Sequence, residues 1–381
     1  MSAVVRAPLI DLEGVLPAVP PVVRAIAAYG LEAPHAPPFP GGAVDDEEWT
    51  ALWRAVDEQR LWGLTSAALA DGVLVVGERR AAEVVAGHEE AVAACLRLDR
   101  QLEAVAAGFV AAGVEFRVLK GVAAACCLYD QPGVRLYGDV DLLVRGEDFD
   151  RAAGVVVGLG GERHHGEPHV GFVARFGKSA AFSLPGGWEV DLHRTFGLGP
   201  FGVAAGSHDL LGAGWPVDLR GFEVEALEPE PMLVGAAFHA VLGGDVRRLL
   251  PLRDVAELLR PGRVDPTTVV ALAERWGVTA VLAAGVEAAT RELGLASDSV
   301  LAVWAGEYEP SRRERRWLDD AHDGGPGVER RRVRALLEAL PSATDRLAFL
   351  RATFWYPGAP SMADRVVRFS RGIGRRAQRS D

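Results

Sequence analysis

The stretch Arg135-Leu136-Tyr137-Gly138-Asp139-Val140-Asp141-Leu142-Leu143-Val144 sets two carboxylates, two residues apart, into an otherwise apolar, strand-like run. Successive side chains of a strand point to opposite faces, so Asp139 and Asp141 project from one face while Val140 and Leu142 pack on the other. Such a pair is costly to bury unless it holds a cation. Around it, 116–119 predicts a strand, 121–129 a helix, 140–144 the acidic strand itself and 149–159 another helix. Farther along, Trp188-Glu189-Val190-Asp191-Leu192-His193 again places an acid inside a strand-like run. If this strand lies beside the first, Asp139, Asp141 and Asp191 converge on one face, a geometry suited to two magnesium ions with oxygen ligands. Glu189 shares the face of Asp191 and is the alternative acid, whereas His193, on that same face, is expected to pack behind the ligands.

The rest of the chain frames this core. The segment Ala33-Pro34-His35-Ala36-Pro37-Pro38-Phe39-Pro40-Gly41-Gly42 cannot continue a helix. After it, Trp49, Leu52, Trp53 and Val56 fall at helical spacing, 61–69 predicts a further helix, and Ala91, Cys95, Leu98, Leu102, Val105 and Phe109 form one stripe of a long helix over 88–112. A hairpin is predicted from 170–176 against 180–184, and a strand pair around Arg220-Gly221. Beyond Glu228 the pattern is helical. The expected organisation is an N-terminal helical region (1–112), a mixed α+β core (113–228), a C-terminal helical domain (229–345) and a basic tail (346–381), with the site in a cleft between core and C-terminal helices.

Composition narrows the classes. In 381 residues, 49% hydrophobic, there are 52 acidic and 41 basic side chains, a formal charge of −11. That charge disfavours a protein that tracks a long nucleic acid and suits a small or peptidic partner. Three cysteines, Cys95, Cys126 and Cys127, are too few and too close for a disulfide framework, so a reducing cytoplasm is expected. No apolar run approaches 18 residues, and none is expected to span a membrane.

Taken in order, Leu119-Lys120-Gly121, Arg135, Gly138-Asp139-Val140-Asp141-Leu142-Leu143-Val144 and Val190-Asp191-Leu192-His193 resemble the nucleotidyltransferase superfamily related to DNA polymerase β. Within it, they resemble an uncharacterised bacterial nucleotidyltransferase-like family found beside natural-product and polysaccharide genes. The resemblance covers about 116–193 and extends weakly to His239 and Leu252-Arg253-Asp254. It implies an α+β fold with a polymerase β-like core, a small mixed sheet with flanking helices, between N- and C-terminal helical regions. It also implies transfer of a nucleoside monophosphate from an NTP, ATP foremost, to a small-molecule or peptide acceptor, with Mg²⁺ or Mn²⁺ bound and pyrophosphate released. Carried over position by position, Asp139 and Asp141 are metal ligands and Asp191 the third carboxylate, ligand or proton acceptor. Lys120 and Gly121 face the triphosphate at a helix start, and Arg135 and Gly138 complete the nucleotide site. The sequence departs from the superfamily's Gly-Ser, since Val122 follows Lys120-Gly121. Two rivals keep the fold: a catalytically silent relative that binds a nucleotide, peptide or protein, and a metal-dependent phosphohydrolase.

Other motifs fail on spacing. Gly171 to Ser179 has five residues between its glycines where a P-loop has four, and is read as a hairpin turn. Gly197-Leu198-Gly199-Pro200-Phe201-Gly202 carries a proline inside a dinucleotide fingerprint and is read as a loop. His164, His165 and His169 lack a completing zinc ligand, and Cys126 and Cys127 are expected to be buried. The arginines 365–379 predict a solvated terminal helix or a surface that docks an acidic partner.

Overall fold

The computed structural model describes residues 8–10, 19–131, 133–165, 171–219, 221–243, 248–322 and 327–354. The arginine-rich tail and His169 lie outside these residues. Seven strands, β1 (Phe116–Leu119), β2 (Val140–Val144), β3 (Glu162–Arg163), β4 (Ser179–Leu184), β5 (Trp188–His193), β6 (Gly214–Asp218) and β7 (Glu223–Leu227), form one mixed sheet in the order β3-β4-β5-β2-β1-β7-β6. With helices before, between and after the strands, the fold is mixed α+β.

The middle of the sheet positions the acids. β2 is buried at all five residues, as expected of a central strand covered on both faces. It runs parallel to β5 and antiparallel to β1, in a register that sets Asp141 opposite both Asp191 and Leu119. Residues directly opposite share a face, so the two acids stand side by side. At the edge, β4 alternates half-buried Ser179, Ala181 and Ser183 with buried Ala180, Phe182 and Leu184, the pattern of a strand covered on one face.

Helices cover this sheet. The helix Glu78–Ala111 packs on Phe149–Gly158, where Gly108 leaves room for Val155. Its buried stripe contains Cys95, Leu98, Leu102, Val105 and Phe109, and it begins ten residues earlier than the apolar stripe alone predicts. Those extra turns bury Val84 and carry the Arg79–Glu83 ion pair at i,i+4 on their exposed side. After the sheet, Pro229–Leu242, Leu249–Leu258 and Thr279–Leu293 pack on one another, and the N-terminal helix Pro21–Ala28 lies against the last two. One hydrophobic core runs through all of these.

Two predicted elements are corrected. Residues 172–176, expected in a hairpin strand, form the short helix Phe172–Phe176 after Gly171 at φ +77°. The reason is the aromatic spacing: Phe172 and Phe176, four apart, both pack on Phe349 in a separate apolar cluster. The expected loop at 197–202 instead starts the helix Gly199–Ala205, with Pro200 in the first turn, where its missing N–H costs nothing. Cys126 is exposed rather than buried, Cys127 is half-buried and Cys95 is buried. Among the described residues, no helix is long and apolar enough to cross a membrane.

Candidate active site

Asp141, Asp191 and His193 bring their ligand atoms within 4.8 Å of one another, and all three are buried. Their convergence follows from the strands. Asp191 and His193 are two residues apart on β5 and share its face, and the register brings Asp141 across from β2. His193 Nε2 lies 2.7 Å from Asp141 Oδ1 and 3.2 Å from Asp191 Oδ2. On its other side, Nδ1 donates to the Thr195 carbonyl at 3.3 Å, which turns Nε2 toward the acids. Sequence reasoning assigned His193 to packing. The signal that places it in the cluster was its i+2 spacing from Asp191.

Lys120 completes the group from the end of β1. It opens the helix Lys120–Cys127 with φ +47°, and its Nζ donates to Asp141 Oδ1 at 2.5 Å and lies 3.3 Å from His193 Nε2. Burial pushes the Asp141 carboxyl up, yet the Lys120 ammonium and the His193 ring outweigh it and hold the group well below the usual carboxylate range. Burial likewise opposes ionisation of Asp191, and His193, Lys178 and Lys120 together drive it far below its ordinary value. For Lys120 the order is reversed. Burial lowers it, but Asp141, Asp191 and Asp139 prevail and raise it.

Asp139 stands outside this trio, half-buried and one residue before β2, close enough for its charge to act on Lys120 and Arg135. Gly138 beside it is exposed, with open space around its Cα. Gly121 is buried because its Cα meets Tyr137: a methyl there would lie 2.5 Å from Tyr137 Cβ. Glu189, the alternative acid, is exposed at the start of β5, 3.9 Å from His164.

Arg135 is placed differently. Its Nε and Nη2 donate to Asp254 Oδ1 and Oδ2 at 2.9 and 2.8 Å, its Nη1 donates to the Leu136 carbonyl at 2.5 Å, and the residue is 6% exposed. Tyr129 adds a hydrogen bond to Asp254 Oδ1 at 2.9 Å. The loop between the first helix of the core and β2 is thereby tied to the helix Leu249–Leu258. From the other side, His88 Nε2 donates to the Gly133 carbonyl at 2.9 Å and the Tyr137 hydroxyl to Asp99 Oδ1 at 2.5 Å. His239, on Pro229–Leu242, is half-buried.

The donor set accommodates a divalent ion. Two carboxylate oxygens suit Mg²⁺, and the imidazole nitrogen extends the fit to Mn²⁺. Among the described residues, His164 and His165 join no such group. A separate cavity of about 320 Å³ lies at the far end of β2, lined among others by Val144, Arg145, Arg194 and His208 and by none of Asp139, Asp141 and Asp191.

A family model described as “Uncharacterised nucleotidyltransferase” matches residues 45–294. The crystal structure of an antigenic nucleotidyltransferase-like protein from Paracoccidioides brasiliensis is similar to this chain at 18% identity, over 53% of this chain and 96% of that one, with a TM-score of 0.30. No curated protein matches the chain.

Proposed function

We propose that this chain, which belongs to the uncharacterised nucleotidyltransferase family, transfers a nucleoside monophosphate from an NTP to a hydroxyl of a small-molecule or peptide acceptor. The observation that supports this reading is the buried meeting of Asp141, Asp191 and His193 beside Lys120, which gathers two acids and an imidazole in a group that could hold a divalent cation. The order of the motifs supports a placement in the polymerase β-like superfamily. In the reaction, an acceptor oxygen bonds to the α-phosphorus, the bond to the bridging oxygen of the β-phosphate breaks, and pyrophosphate leaves.

Each residue has a part in that scheme. Asp141 and Asp191 would hold Mg²⁺ or Mn²⁺ with His193. A bound ion would supply Lewis acidity to the phosphate under attack and to the acceptor hydroxyl. Asp139, half-buried and one residue before β2, is the further acid, and Asp191 is the carboxylate that would accept the acceptor's proton. Lys120 and the start of its helix at Gly121 provide positive charge for the triphosphate, and the open surface at Gly138 lets it approach. Arg135 serves by fixing the approach to Asp139 through Asp254. Most of the rate then comes from positioning and charge neutralisation. ATP is the first nucleotide to test, in the cytoplasm, with acceptors drawn from natural-product or polysaccharide chemistry.

Calorimetric titration with Mg²⁺·ATP tests the assignment before any acceptor is known. Wild type should bind, and Asp141→Ala and Asp191→Ala should each lose at least about tenfold in affinity. Equal affinities in all three would sink the metal-site reading. Once an acceptor is in hand, label from α-phosphate reaching it together with pyrophosphate supports transfer, whereas inorganic phosphate without labelled acceptor supports a phosphohydrolase. Binding without either product describes a silent relative.

A further inference from the structure

Lys120 takes up the position that the metal reading assigns to a cation. Its Nζ lies 2.5 Å from Asp141 Oδ1 and 3.3 Å from His193 Nε2, two of the three ligand groups. An ammonium and a divalent ion have charges of the same sign. Held on one oxygen in a buried place, where screening is weak, they repel strongly, so the oxygen serves one or the other.

The backbone is bent to put the lysine there. Lys120 has φ +47°, left-handed geometry that side-chain-bearing residues adopt at a cost, while the adjoining Gly121 has no positive φ. The strain thus falls on the residue whose side chain enters the acid cluster. A way out also exists. The lysine stem is flexible and 17% exposed, Asp139 already acts on its charge, and Gly138 next to Asp139 leaves open space.

We propose that Lys120 is a built-in counter-ion that a divalent metal displaces: its ammonium holds the paired carboxylates, gives up Asp141 when the metal binds, and moves toward Asp139 and Gly138 to meet the nucleotide phosphates. This rests on the nucleotidyltransferase reading of the same site. Metal and nucleotide are then coupled through one side chain. Removing the lysine takes away a competitor of the metal and a partner of the phosphate, so the two affinities move in opposite directions.

Mn²⁺ alone, then α,β-methylene-ATP at saturating Mn²⁺, titrated calorimetrically into the full chain, tests this. Lys120→Gly suits the left-handed backbone without strain, and Lys120→Met keeps the stem. In both, Mn²⁺ affinity should rise about tenfold and nucleotide affinity fall about tenfold, within the usual range of coupling between two ligands. Lys120→Arg, which keeps the charge, should bind Mn²⁺ no better than wild type. A lysine that only supports the fold would weaken both affinities when removed. Mn²⁺ binding to wild type that does not tighten in the Gly and Met variants overturns the counter-ion role alone. No Mn²⁺ binding in wild type or either variant overturns the metal reading beneath it, and this role with it.

Discussion

Two buried ionic clusters lie near one another in this chain, and they are built on opposite plans. In one, Asp254 meets the flat fork of Arg135 with both oxygens and takes a third hydrogen bond from Tyr129. In the other, two carboxylates share one imidazole, and one of them also accepts from a lysine. The acids of both are at most 4% exposed. Burial of charge therefore does not tell a site from a strut. What differs is the cation: an arginine cannot shed its proton and is locked in place by a planar pair, whereas a lysine on a long stem can move aside. The first plan is suited to joining the sheet to the helix Leu249–Leu258, and the second to exchange with a ligand.

Mutation separates the two clusters. The largest effect is expected at the strut. Arg135→Met leaves Asp254 buried without its partner and should cost about 3–5 kcal/mol of folding stability in urea titration. Asp191→Asn, in metal-free buffer, should cost only about 1 kcal/mol, since Lys120 and His193 still balance Asp141. Equal losses at the two places would erase the distinction. A smaller effect follows from ligand binding. Mn²⁺ at a hundredfold excess over its dissociation constant should raise wild-type stability by about 2.7 kcal/mol and leave Asp141→Ala unchanged. A comparable gain in Asp141→Ala would move the cation away from this cluster.

The sequence made the strands around the acids legible, because carboxylates inside apolar runs stand out and strand period fixes their face. It did not reveal the register that sets Asp141 opposite Asp191, since pairing between strands 50 residues apart is decided by the whole sheet. Nor does it name the acid that Arg135 pairs with: the residue reads equally as part of the nucleotide site or as the partner of a nearby acid, and Asp254 is 119 positions away. The positive φ at Lys120 was hidden for a local reason, as the neighbouring glycine is the residue expected to take it. Phe172 and Phe176 show the reverse error, where a glycine-flanked segment near a strand was read as strand although its two aromatics have helical spacing.

The smallest effects separate two glycines that the sequence grouped together at the nucleotide site. An alanine at 121 would put its methyl 2.5 Å from Tyr137 Cβ, and Tyr137 is held by Asp99, so neither side yields freely. Gly121→Ala should therefore cost about 1–3 kcal/mol, as other overpacked cores do. At 138 a methyl meets nothing within 4 Å and no left-handed backbone is involved, so Gly138→Ala should change stability by about 0.5 kcal/mol or less. Its effect belongs to binding: if nucleotide phosphates approach Asp139 over that open surface, Mg²⁺·ATP affinity should fall severalfold while the unfolding midpoint stays put. Unchanged affinity in a stable Gly138→Ala protein would move the triphosphate path away from this loop, leaving Gly121 as a packing residue and Gly138 as an exposed turn.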